Sequence, residues 1–157
     1  MAKAEYWKAP EVEELAKKLM GIHHPYITGV NIVYVFSSKV RKRKQNIILA
    51  SIDKYNERQK MISGGCQLVL EVAKEVWDKL DTNQREAVID HELSHVLVDD
   101  ESGEVSLIEH DVNEFGSIIK RYGPYLPSLQ LFIADYSKYV DRQLDKPLDV
   151  QNHLQEG

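Results

Sequence analysis

The clearest pattern of apolar and polar positions near the start of the chain follows Pro10. Apolar residues recur there at the spacing of one buried helical stripe: Val12, Leu15, Ala16, Leu19 and Met20. Proline is favoured in the first turn of a helix, where its missing N–H would have no partner. The pattern predicts a short helix that begins near Pro10 and is ended by Gly21 and the His23-His24-Pro25 segment.

Three later segments have the character of strands. Residues 30–36 and 47–52 are rich in β-branched and aromatic side chains, and the basic block Arg41–Lys44 lies between them. We expect two adjacent strands joined by a charged loop. The segment Cys66–Val72 follows a break at Gly64-Gly65, and its alternation predicts a third strand with one apolar face.

Helical patterns follow these strands. Apolar positions within residues 76–80 indicate a short helix. Asp81, with Gln84 three residues later, has the form of an N-cap with its capping-box partner, so a longer helix should begin there and run through Val96.

The residues after this helix predict a turn and two more helices. The turn is expected at residues 99–104, and an apolar stripe then runs from Val112 to Tyr122, where Gly123-Pro124 supplies a helix stop. A last helix is predicted over residues 128–140, and the mostly polar tail 145–157 is expected to fray.

Composition narrows the class of protein. The chain has 157 residues, a formal net charge of −5 and 43% hydrophobic residues. That is the size of one ordinary domain, whose core needs no disulfide or structural metal. We therefore expect a single soluble α+β domain over residues 1–157. The longest apolar run, residues 32–36, is far shorter than the roughly 18 residues that indicate a membrane span.

Other features bear on compartment and partners. The chain opens without the apolar segment of a signal peptide and has Cys66 as its lone cysteine, so a cytoplasmic location is expected. The acidic total excludes strong nucleic-acid binding through bulk charge. The basic block 41–44 leaves a local contact with nucleic-acid phosphates open, although a solvated turn is the simpler interpretation.

The candidate chemistry lies on the predicted long helix, which contains His91-Glu92-Leu93-Ser94-His95. The two histidines point within about 40° of each other and stand about 6 Å apart along the helix axis. They can bind one Zn²⁺ together, while Glu92 acts as general base on a metal-activated water. A hydrogen-bonded pair of core histidines is the structural alternative.

A catalytic zinc needs a third protein ligand and an open fourth position. The candidates lie in the segment His110-Asp111-Val112-Asn113-Glu114-Phe115, at the start of the next predicted helix. Helical geometry does not choose between His110 and Glu114, because the first turn of a helix need not follow the geometry of its interior.

This stretch resembles the SprT-like zinc metallopeptidases and, more closely, the phage metallopeptidase domain. The resemblance covers residues 66–123 and is carried by the motif at 91–95, the segment 110–115 and Tyr122-Gly123. It implies peptide-bond hydrolysis and a minimal zincin fold, in which a small sheet packs on the metal-bearing helix. Carried over by position, it makes His91, His95 and His110 the zinc ligands and Glu92 the general base.

The chain also departs from the SprT-like pattern. Asp111 stands where that pattern has Gly, Phe115 lies five residues beyond His110 instead of four, and one cysteine excludes a four-cysteine zinc ribbon. Glu114 stays a competing third ligand, because thermolysin-like enzymes use a Glu on the following helix. Asp111 either orients a ligand imidazole or carries a charge that is favoured at a helix N-terminus.

Two hypotheses about function follow. The leading one is a zinc peptidase that acts on peptide or protein substrates, with the edge of the predicted sheet holding an extended peptide by strand addition. The competing one is a zinc-stabilised binding module without turnover, in contact with DNA through residues 41–44. The pattern predicts no oligomeric state.

Weaker candidates have simpler structural explanations. His23-His24 can form an accessory metal site, although a capping or surface role is simpler. Tyr122 and Tyr125 can polarise a substrate carbonyl, although core or rim positions are simpler. Cys66 is most simply a small buried apolar residue.

Overall fold

The computed structural model describes residues 3–43, 46–108, 116–123 and 125. Contacts divide the chain into two compact units, residues 1–110 and 111–157. The single domain expected over residues 1–157 stays a prediction. The helix predicted over 128–140 and the tail 145–157 lie outside the described residues.

The chain is built from short helices and strands. The helices are α1 (Pro10–His23), α2 (Glu57–Ile62), α3 (Lys74–Trp77), α4 (Thr82–Ser94) and α5 (Gly116–Tyr122), with a 3₁₀ turn at Pro25–Ile27. The strands are β1 (Tyr6–Lys8), β2 (Ile32–Ser37), β3 (Arg41–Arg43), β4 (Asn46–Ile48), β5 (Ala50–Lys54), β6 (Leu68–Ala73), β7 (Val96–Val98) and β8 (Val105–Leu107). The α+β class is confirmed, and α5 belongs to the second unit. No helix among the described residues is long and apolar enough to cross a membrane.

A four-stranded sheet of order β1-β2-β6-β5 organises the first unit. β2 and β6 are parallel, and β1 and β5 pair antiparallel at the two edges. The expected adjacency of the two strands that precede β6 is wrong, because β6 lies between β2 and β5. Leu68, Leu70 and Val72 of β6 are almost completely buried, and a central position in the sheet shields this apolar strand on both edges.

The predicted first helix is confirmed as α1, with Pro10 in its first turn. Its buried residues belong to the predicted stripe: Val12, Ala16, Leu19 and Met20. α1 contacts β2 and α4, and α4 contacts β5. These helices pack on the face of the sheet that carries Tyr34, Phe36 and Ile52. The helix α4, which contains most of the motif at 91–95, therefore lies directly on the core.

The basic block is not a simple loop. Arg41–Arg43 forms β3, which pairs antiparallel with β4. The Arg41 guanidinium donates to Ser51 Oγ at 2.7 Å and lies 3.1 Å from a carboxylate oxygen of Glu71. These contacts fix Arg41 to β5 and β6, so one of the four basic side chains is already engaged by the sheet.

The predicted start of the long helix is confirmed, but its predicted end is wrong. The Asp81 carboxylate accepts from the Gln84 backbone N–H at 2.8 Å, and the Gln84 side chain accepts from the Asp81 N–H at 3.0 Å. The helix ends at Ser94, because Val96 begins β7 and pairs with Leu107 of β8. The predicted turn at 99–104 joins these two strands, and Gly103 adopts a positive φ of 73° there.

Several elements have no counterpart among the predictions; they include β8 of the hairpin, α2 and β1. α2 has no buried residue, so no apolar stripe marks it, and a capping box formed by Asn56 and Gln59 begins it. β1 pairs with β2 at the sheet edge, with Trp7 opposite Phe36.

Candidate metal centre

The two motif histidines lie at the C-terminal end of α4. His91 is in the last turn, and His95 is the C-cap, with a right-handed helical backbone at φ −71° and ψ −20°. The helical spacing of the pair therefore survives although the helix proper ends at Ser94. The two ring centroids are 5.1 Å apart and the rings meet edge to face at 72°. The structure thus brings His91 and His95 together as predicted.

A main-chain contact sets the orientation of the His95 ring. Its Nδ1 lies 2.6 Å from the carbonyl oxygen of Ile108, and the Ile108 N–H donates to the His95 carbonyl at 2.7 Å. A carbonyl oxygen only accepts, so Nδ1 must carry the proton. A neutral His95 then has its lone pair on Nε2, which is the arrangement that metal-binding histidines usually have.

The chemistry and spacing of this pair fit a zinc ion. Two imidazoles that bind one tetrahedral zinc at about 2.0–2.1 Å per nitrogen hold their ring centroids about 5 Å apart. The separation of 5.1 Å agrees with that value. Both side chains are half-buried, so the pair is accessible without being fully solvated.

Glu92 follows His91 on the same helix and is buried, with 7% of its surface exposed. Hydrogen bonds or ion pairs must offset the lost hydration of a carboxylate so far removed from water. A place beside two potential metal ligands is where a general base is needed.

The third ligand lies outside what the structure describes. His110, Asp111 and Glu114 are all in the segment 109–115, which is not described. Within residues 3–43, 46–108 and 116–125 without 124, no group of three His, Cys, Asp or Glu side chains has a geometry suited to a metal. The described part of the centre is therefore the His91–His95 pair, and the assignment of its third ligand stays a prediction.

Sequence reasoning missed a buried pair formed by His24 and Asp90, of which Asp90 directly precedes the motif. His24 Nε2 lies 2.5 Å from a carboxylate oxygen of Asp90, and both residues are buried. His24 Nδ1 is 3.3 Å from the Tyr26 hydroxyl. The His24 backbone N–H caps α1 by donating to Met20, as the capping role predicts, but its side chain is not at the surface. A local signal exists, because Asp90 interrupts an otherwise apolar part of α4.

The weaker candidates are placed as follows. Cys66 precedes β6 instead of lying on it, and it is partly buried. Tyr122 and Tyr125 of the second unit have ring centroids 6.5 Å apart; Tyr125 is buried and Tyr122 half-buried. Gly123 has a positive φ of 64°, the conformation of a glycine that ends a helix.

Comparison with known proteins bears on most of the chain. The sequence model of the family described as "Putative phage metallopeptidase" matches residues 4–141. No curated protein and no solved structure gives a significant match. The matched range contains the motif at 91–95 and both candidates for the third ligand. The chain therefore belongs to the phage metallopeptidase family.

Proposed function

We propose that the protein is a zinc-dependent peptidase in which His91, His95 and His110 hold the metal and Glu92 is the general base. The observation that carries the proposal is the His91–His95 pair, with its 5.1 Å ring separation. The Ile108 carbonyl supports it, because a proton on Nδ1 puts the lone pair of a neutral His95 on Nε2, the nitrogen that would bind the metal.

Chain connectivity supports His110 as the third ligand. Ile108 is hydrogen-bonded to His95 through both its N–H and its C=O. A segment of two residues spans at most about 7 Å, so a residue two positions after Ile108 is within reach of the paired imidazoles. Glu114 is the alternative ligand. For Asp111, the choice between orienting an imidazole and being a helix-terminal charge stays open.

Glu92 provides the proton transfers of the proposed reaction. When bound, the zinc would polarise the substrate carbonyl and lower the pKa of a water molecule toward about 7. Glu92 takes the proton of the attacking water and delivers it to the nitrogen of the departing amine, so that one proton is moved and the peptide C–N bond breaks. The buried position of Glu92 strengthens its electrostatic interaction with the reacting groups.

β5 is the sheet edge best placed to hold a substrate, because it contacts α4. Backbone groups of successive β5 residues point alternately toward β6 and away from it. Two backbone hydrogen bonds that flank the strand show which residues point which way. The Tyr55 N–H donates to Gln67 at 2.9 Å, and the Ala73 N–H donates to Leu49 at 3.1 Å. In the antiparallel register of β5 and β6, these bonds assign the odd-numbered residues of β5 to the ladder with β6.

The even-numbered residues of β5 consequently direct their backbone groups away from β6. These residues are Ala50, Ile52 and Lys54, and among the described strands only β6 pairs with β5. An extended peptide can bond to their N–H and C=O groups by strand addition. Such pairing selects an extended backbone over a particular side chain, which favours unfolded protein segments as substrates.

Exchange of Glu92 for Gln tests the mechanism. Glu92→Gln should keep the bound zinc and lower cleavage of a reduced, carboxymethylated protein substrate by about 100-fold or more. Glu86→Gln is the matched control on the same helix, where Glu86 only forms a partly exposed ion pair with Lys18 at 3.6 Å. Cleavage by Glu92→Gln at the parent rate would overturn the proposed role.

The same assay separates the peptidase from the binding module. A parent protein that binds zinc and cleaves no unfolded substrate would support the module without turnover. DNA binding that weakens with salt and is lost on neutralising Lys42 and Lys44 would then be expected. The Arg41 contacts with Ser51 and Glu71 count against a nucleic-acid role for that side chain.

A further inference from the structure

The first unit also contains a cavity, and none of the residues that line it belongs to α4. This cavity of about 550 Å³ is bounded by α1, the loop that leads into β2, β2 itself and the turn before β6. Ligand pockets in proteins usually have volumes of about 300–1,000 Å³. The volume is therefore sufficient for a small organic molecule.

Tyr34 gives this cavity a polar group that lacks a partner. The side chain lines the cavity and only 4% of its surface is exposed. Within the described residues, the Tyr34 hydroxyl makes no hydrogen bond. Among the described residues, Trp77 Nε1 is the only buried side-chain polar atom without a partner, so the Tyr34 hydroxyl is open to the cavity, where a ligand can replace a water molecule as its partner.

Charge at the rim favours one kind of ligand. Glu13 and Lys17 both line the cavity and form an ion pair at 3.0 Å, with side-chain exposures of 44% and 66%. Such exposed pairs are weak, so a bound cation can take the place of Lys17 beside the Glu13 carboxylate. Burial and, second, the negative charge of Glu13 raise the pKa of Tyr34, so the hydroxyl stays neutral and its oxygen can accept a hydrogen bond.

The remaining walls are mixed, with the polar side chains of Thr28 and Asn31 beside apolar ones. Met20, Val30 and Ile32 face the cavity and can cover a short hydrocarbon group. An anion is disfavoured, because it would meet Glu13, and Lys17 is the more exposed partner of that pair. A purely apolar ligand would leave the Tyr34 oxygen without a partner.

We propose that this cavity binds a small protonated amine, with the ammonium group between Glu13 and the Tyr34 oxygen and an apolar group against Met20, Val30 and Ile32. The ammonium donates one hydrogen bond to Tyr34 and pairs with Glu13. The site needs neither zinc nor Glu92, so it is independent of the proposed peptidase activity.

Three probes of one size test the chemistry. Hexylammonium, 1-hexanol and hexanoate share a six-carbon chain and differ in charge and hydrogen-bonding group. They are titrated separately into the full-length protein, and binding is followed by calorimetry or by amide shifts in NMR spectra. Hexylammonium should bind saturably and more tightly than hexanol, and hexanoate should bind weakest.

Variants locate the binding. Tyr34→Phe and Glu13→Gln should each weaken hexylammonium binding by about fivefold, the effect of one lost hydrogen bond or weak ion pair. Tyr55→Phe is the control, because Tyr55 does not line the cavity. If Tyr34→Phe fails to fold, the exposed Glu13→Gln still reports. Tighter binding of hexanoate, no saturable binding of hexylammonium, or unchanged binding by both variants would overturn the proposal.

Discussion

His24 Nε2 lies 2.5 Å from the Asp90 carboxylate, although 66 positions separate the two residues in the chain. His24 caps the end of α1, and Asp90 immediately precedes the first motif histidine on α4. The contact therefore fixes the end of one helix to the part of the other that carries the metal motif. Because both side chains are buried, neither can exchange its partner for water without a large cost.

Removal of His24 should strongly destabilise the fold. His24→Ala removes one hydrogen-bond partner of a buried carboxylate, and loss of such a partner costs about 1–3 kcal/mol or more. Urea denaturation followed by circular dichroism measures the change. His23→Ala, at the half-buried neighbouring position, is the control and should cost less.

A double variant distinguishes the energy of the His24–Asp90 contact from the packing energy that each side chain contributes separately. His24→Ala with Asp90→Ala should be less destabilised than the two single changes added together, because the double variant removes both members of one contact. Simple additivity would mean that the contact is energetically unimportant.

Zinc content should distinguish the two candidates for the third ligand. His110→Ala should lose the metal, as should His91→Ala and His95→Ala, because two imidazoles alone leave the site short of its three protein ligands. Glu114→Ala should retain it. Elemental analysis after dialysis against trace zinc gives the stoichiometry. Retention by His110→Ala together with loss by Glu114→Ala would transfer the role to Glu114.

A proline at Lys54 tests strand addition at β5. The Lys54 N–H points away from β6, so Lys54→Pro removes a donor for the substrate and leaves the ladder with β6 intact. The KM for an extended peptide should rise several-fold while kcat changes little, because substrate binding is affected more than chemistry. Lys54→Ala keeps the N–H and is the matched control. An equal rise in both variants would point to the side chain instead.

The capping box that begins α4 should contribute measurably to stability. Asp81→Ala removes the acceptor for the Gln84 N–H and should cost about 1 kcal/mol. Thermal and urea unfolding measure this loss, with the neighbouring exposed Thr82→Ala as comparison. Zinc content should be unchanged, because the cap lies at the opposite end of the helix from the paired histidines. Loss of zinc in the folded Asp81→Ala protein would contradict that separation.

The buried Tyr34 should make the protein sensitive to alkali. Burial, and to a smaller extent the charge of Glu13, raise its pKa in the folded state, whereas the unfolded chain has the ordinary tyrosine pKa of about 10. Stability from this group is complete below that pH and is lost as pH rises above it, because only the unfolded chain then releases the proton. The urea midpoint of the parent should fall more between pH 9 and pH 11 than that of Tyr34→Phe. Parallel falls would refute the assignment.

Local signals in the sequence predict much of the first unit. The apolar stripe after Pro10 and the Asp81–Gln84 capping box each depend on residues a few positions apart, and both are present in the structure. The sheet order is not local: β6 separates β2 from β5, and no pattern within one strand encodes its neighbours. The end of α4 is also decided elsewhere, because Val96 pairs with Leu107 across a hairpin.

The candidate metal centre likewise has a part that local sequence signals predict and a part that depends on distant contacts. The His91–His95 spacing is a property of one helix and is predicted from the motif alone. The His24–Asp90 pair and the bond from His95 to Ile108 join distant segments, so the sequence indicates that those residues are polar or apolar without indicating their partners. For α2, the signal was local, since Asn56 and Gln59 form a capping box, but the helix buries no apolar face that would draw attention to it.

Ile108 holds His95 entirely through main-chain atoms, while its own side chain is 42% exposed. Nearly any amino acid at position 108 would preserve both bonds; proline, which lacks the N–H, is the exception. Neutral drift at this position should therefore be extensive among relatives, and an alignment would give no hint of its importance. The tautomer of His95 is in this sense protected from point mutation, because the group that selects it belongs to the backbone that every residue shares.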